Sequence, residues 1–157
     1  MIQVKILECA EPQADHLEQY KQYASVPDDS RDGILHKMLK RAMLQVQAFS
    51  DVAMLPCLLE LTITDVKAGD TVKLYQGGDT VVSCVDQDGL NAGYVQEGDG
   101  LRMLGWSHSL RIVYRNRVVI PEAEALQPVC WELATAIYDG EDTKVQGAIL
   151  AKTYGMR

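Results

Sequence analysis

Between Ile34 and Phe49 the apolar residues Ile34, Leu35, Met38, Leu39, Ala42, Met43, Val46 and Phe49 recur at steps of three and four, with Arg31, Lys37, Lys40, Arg41 and Gln45 between them. That period is helical, and it gives one buried stripe and one solvated face. The segment is led by Asp28, Asp29, Ser30 and Asp32. These supply acceptor oxygens and negative charge where a helix leaves N–H groups unpaired and its dipole is positive, so helix initiation is expected at the cluster.

The period changes on both sides of this helix. Residues 2–7 alternate like a strand, Pro12 breaks the chain, and a helix is expected over about residues 13–24, closed by Pro27. Past Phe49, Pro56 marks a second break and residues 59–64 alternate with β-branched side chains. From there to about Val119, glycine-containing turns separate short strands expected at 71–75, 80–85, 93–96, 101–104 and 110–114, forming an antiparallel meander or a pair of hairpins. Pro121 and Glu122 open another helical region, with Leu126, Val129, Cys130, Leu133, Ala134 and Ile137 on one face and a left-handed cap at Gly140. Pro128 either starts this helix or kinks it. A short helix is expected over 144–154. The class is α+β: a helical core of three to four helices, with an antiparallel hairpin-rich insert at about 57–119 between the long helix and the returning C-terminal helix. Residues 1–142 form one domain and 143–157 a tail.

Composition narrows the function. The 157 residues, 47% of them hydrophobic, suffice for one core. A formal charge of −7 argues against a surface that wraps nucleic acid, which needs clustered Lys and Arg. The short, polar N-terminal segment does not read as a signal peptide, and no apolar run approaches the roughly 20 residues that cross a bilayer, so a soluble intracellular protein without membrane contact is expected. Cys9, Cys57, Cys84 and Cys130 have neither CxxC nor CxH spacing and are expected as four reduced, mostly buried thiols.

Chemistry is sparse. Asp86-Gln87-Asp88-Gly89 lacks the glycine position of a calcium loop and reads as a hairpin turn. His16, His36 and His108 share no metal spacing, so no metal or cofactor is expected. Ser107-His108-Ser109 lacks a nucleophile elbow. Gly77-Gly78 and Gly98-Asp99-Gly100 are not followed by the Lys-Ser/Thr of a phosphate loop. Trp131 reads as core more readily than as a partner anchor; Trp106, in a Gly-flanked loop, reads equally as either.

Three stretches carry a resemblance: the Asp28-Asp29 leader with its continuation from Leu39 to Phe49; residues 72–89; and Arg111-Ile112-Val113-Tyr114 leading to Ile120-Pro121 and Leu133-Ala134-Thr135-Ala136-Ile137-Tyr138. In this order they resemble the head-to-tail connector proteins of long-tailed bacteriophages and their prophages, also called head completion or adaptor proteins, over about residues 1–142. The resemblance implies a non-enzymatic virion protein, found in the host bacterial cytoplasm during assembly. It implies a homo-oligomeric ring between a portal protein and a tail-side completion protein, with DNA passing through without sequence-specific binding. It places contacts on the exposed side of the long helix and in the insert, with Lys37, Lys40, Arg41, Gln76, Asp79, Tyr94 and Trp106 as candidates. A negative channel lining is expected to let phosphate slide. The rival expectations are a small soluble enzyme with a site near His108, or another tail-completion or adaptor protein.

Overall fold

Alternation becomes sheet and the three-to-four spacing becomes helix, in a computed structural model that describes residues 1–153. The class is α+β, as expected, with four helices and seven strands among the described residues. The chain divides into two compact units, each built from two segments: residues 1–9 with 56–117, and residues 10–55 with the chain from Val118 onward.

The first unit is all β. Its strands are β1 (Ile2–Cys9), β2 (Cys57–Val66), β3 (Thr71–Lys73), β4 (Gly78–Val85), β5 (Tyr94–Glu97), β6 (Gly100–Met103) and β7 (Ser107–Asn116). They form two antiparallel sheets, ordered β1-β2-β7-β4 and β3-β6-β5. The antiparallel pairing is as expected, but of the expected meander or pair of hairpins only β5–β6 pairs neighbours in sequence: β7 pairs with both β2 and β4, joining strands far apart in sequence. Cross-strand pairs set the register, with Leu59 opposite Tyr114 and Leu61 opposite Ile112, all fully buried. Gly78 permits a close approach beside them. A Cβ there would stand 2.4 Å from Leu74 Cβ and 2.8 Å from the Tyr114 ring, whose hydroxyl donates to the Tyr75 carbonyl at 3.1 Å.

The expectation of four reduced thiols is also corrected. Cys9 and Cys57 face each other in the β1–β2 register with Cα atoms 4.2 Å apart, and form a disulfide. Spacing along the chain carries no sign of this, because the pairing is created by strand register. Cys84 and Cys130 are free and buried; burial pushes the Cys84 thiol up to about 11 and raises that of Cys130 further.

The second unit is helical: α1 (Ala14–Tyr23), α2 (Asp32–Ser50), α3 (Ile120–Tyr138) and α4 (Thr143–Ala151). Leu35, Leu39, Ala42, Met43 and Val46 of α2 are buried, and so is the expected stripe of α3; Ile34 departs from its stripe and is 52% exposed. Pro128 lies inside α3, which starts at Ile120 with proline in its first turn. Gly140 takes φ 71°, and the Glu141 N–H closes back on the Ala136 carbonyl at 2.9 Å. Asp142 caps α4 by accepting from the Val145 N–H at 3.0 Å. Tyr154, the expected end of this helix, lies outside the described residues, as does the rest of the tail.

The acid cluster does not cap α2. Arg31 occupies the capping position without a side-chain bond. Asp28 instead accepts from the Ser30 hydroxyl and N–H at 2.6 and 3.0 Å, which holds its carboxyl below its ordinary value. Asp29 and Asp32 take Lys21 of α1, at 2.6 and 2.9 Å. At the other end of α2, the buried Gln47 amide oxygen accepts from the Met54 and Leu55 N–H groups at 2.9 and 3.1 Å, fixing the chain as it leaves the helix.

Candidate functional site

In the helical unit, the outward face of α2 forms an open groove of about 770 Å³. Gly33, Lys37, Arg41, Leu44 and Ala48 follow one another at three- and four-residue steps, so they share a face. Leu44, Ala48 and the bare backbone at Gly33 give this face an apolar floor, and the exposed Lys37 and Arg41 rise from it without an acidic partner among the described residues. Along one edge, Glu11 accepts from Lys40 Nζ at 2.5 Å and meets His36 Nε2 at 2.9 Å. Lys40, then His36, holds the Glu11 carboxyl below its ordinary value. Of the three cations expected to make contacts, Lys40 is therefore already engaged, while Lys37 and Arg41 are available.

The β unit exposes three large apolar side chains on its turns. Trp106 is 62% exposed, Leu104 56% and Leu90 65%. The Leu104 N–H donates to the Gly93 carbonyl at 3.1 Å, tying the end of β6 to the approach to β5. The loop carrying Leu90 is shaped by Asp86, whose carboxylate accepts from the Asp88 and Leu90 N–H groups at 2.9 and 3.0 Å. Tyr94 lies opposite Met103 and is half-buried. The exposed Asp79 is linked to β5 through its backbone carbonyl, which accepts from the Gln96 amide. Gln76 differs from the other candidates: it is only 9% exposed, in a turn at φ 58°, and has little surface to offer a partner.

Around His108 the geometry is that of a surface ion pair. His108 Nδ1 is 3.2 Å from Asp65, with side chains 67% and 73% exposed, and the His108 ring lies 6.4 Å from that of Trp106. Ser107 is buried. No three His, Cys, Asp or Glu residues are grouped to hold a metal ion among the described residues, and no described helix is long and apolar enough to cross a membrane.

Leu44, Ala48, Gly33 and Glu11 were not singled out by sequence reasoning. The signal was present for the first three, as small and apolar residues interrupting the polar face of the long helix at steps of three and four. Glu11 gave none, because its partners lie 25 and 29 residues away.

The fold is shared with chains of gene transfer agent particles. A chain in a structure of the virion of the native gene transfer agent particle matches with a TM-score of 0.61 and 15% identity, covering 95% of this chain and 93% of that one. A chain from the neck of the empty particle computed with C6 symmetry matches at 0.59 and 16%, over 83% and 82%. A chain from the neck of the native particle computed with C12 symmetry matches at 0.57 and 18%, over 85% and 84%. No protein-family model and no curated protein matches the chain.

Proposed function

We propose that this protein is a structural component of the neck of a tailed phage-like particle, a head-to-tail connector that closes into a ring between portal and tail and lets DNA pass through. The observation that carries the reading is a shared fold over more than four fifths of each of three chains from gene transfer agent particles, two of them from necks. Ring closure needs a heterologous interface, in which one patch on each subunit meets a different patch on the next. The α2 groove and the exposed Trp106 are surface features of the kind such contacts use. The charge of −7 suits a channel that does not grip phosphate.

The test is solution mass across a concentration series, alone and with a portal protein from the same genome, followed by imaging of the large species. Closed rings compatible with sixfold or twelvefold symmetry are expected, by analogy with the necks. Failure to form rings under either condition overturns the reading. A ring with a basic inner surface overturns the account of the charge.

A further inference from the structure

Two faces of the helical unit complement each other. The first is the α2 groove, with an apolar floor at Leu44 and Ala48 and the cations Lys37 and Arg41. The second is the outward side of α3. Its buried residues Ala123, Leu126, Gln127 and Cys130 fix which way the helix faces. Pro121, Ala125 and Pro128, at steps of four and three, then occupy the opposite side and are exposed. Glu122 and Glu124 are also exposed; at 100° per residue they fall on either flank of this narrow stripe, and neither has a cationic partner among the described residues. One face is small, apolar and acid-flanked; the other is apolar and carries two cations without an acidic partner among the described residues.

We infer that the α2 groove of one copy receives the outward face of α3 from a second copy, with Lys37 and Arg41 meeting Glu122 and Glu124. The inference deepens the ring reading and rests on it, because the contact is heterologous and each copy offers both halves. Charge complementarity selects the occupant. In a chain of net charge −7, a cation pair over an apolar floor with no acidic partner among the described residues recruits an acidic surface, and α3 offers one. Small residues on both sides, Gly33 and Ala48 on α2 and Ala125 on α3, allow the helices to approach closely. Like charges placed across the same contact oppose it.

The test uses the full-length chain at up to roughly 1 mM, a range that detects weak self-association. Isotopically light and heavy copies are mixed, joined by zero-length carbodiimide coupling and mapped by mass spectrometry. Links between Lys37 of one copy and Glu122 or Glu124 of the other are expected. Each charge reversal alone, K37E/R41E or E122K/E124K, lowers intermolecular coupling about tenfold or more. Mixing the two variants restores it, now with the lysines on α3. All four positions are exposed, so loss of folding is not expected to intervene, and circular dichroism of each variant checks this. Links that map elsewhere, or that persist in both single variants, overturn the interface while rings seen by imaging keep the connector reading. A complete lack of intermolecular links overturns the interface outright, and the connector reading then stands or falls on imaging with the portal.

Discussion

Lys21 is a cation with only 6% of its side chain exposed, held by Asp29 and Asp32. Those carboxylates, Asp29 first, raise its pKa, so the contribution of the cluster is complete at neutral pH and is lost only as pH rises through the elevated value in strong alkali. Lys21→Met is expected to lower the melting temperature at pH 7, with Lys21→Arg retaining more of it, as measured by calorimetry. Glu11 has the opposite sign: its lowered pKa means that its bridge to Lys40 and His36 holds above the ordinary carboxylate value and fades as pH falls below it. Two buried positions carry larger costs. Gly78→Ala sets a Cβ against Leu74 Cβ and the Tyr114 ring and is expected to cost about 1–3 kcal/mol in urea unfolding. Gln47→Leu strips an acceptor from the Met54 and Leu55 N–H groups and is expected to cost about 1–3 kcal/mol in urea unfolding.

At the level of elements, the disulfide joins β1 to β2 across 48 residues of sequence that include α1 and α2. By chain entropy alone, closing a loop of that length is worth roughly 4 kcal/mol. Reduction, or Cys9→Ser with Cys57→Ser, is expected to lower the urea midpoint accordingly; an unchanged midpoint in the double variant would show that the bond is idle. This bond also marks where sequence reading stops. Element type was legible because periodicity is local: the stripe of α3, the Gly140 cap and all seven strand positions follow from neighbours within a few residues. Pairing was not, because β7 finds β2 and β4 only through the fold, and Cys9 finds Cys57 through register. The acid leader was misread for a related reason. Capping is the local use of Asp28 and Asp29, whereas the lysine that claims Asp29 sits one helix earlier. On the candidate surface, Lys37, Arg41 and Trp106 were legible as exposed polar-face and loop residues, but Gln76 looked the same in sequence and is buried.

For the whole molecule, assembly and stability are expected to separate. Trp106 is mostly solvent-exposed, so Trp106→Ala is expected to change monomer stability by no more than about 0.5 kcal/mol. On the connector reading, the same change reduces recovery of joined particles in a complementation assay. Full recovery would remove Trp106 from the proposed contacts and leave the α2 groove to carry them.

The chain passes into the helical unit at Ala10, returns to the β unit at Pro56 and leaves it again at Val118. On a ribosome this path postpones both units. β1 waits for β2, the four-stranded sheet lacks one of its two inner strands until β7 is made, and α2 carries its apolar side through the synthesis of β2 to β7 before α3 exists. The nascent chain thus has no early resting point at which one half is finished and the other not begun. A chain stopped at Arg117 holds all seven described strands yet lacks α3 and α4, so nonsense fragments are expected to keep the apolar side of α2 uncovered and to be cleared by proteolysis.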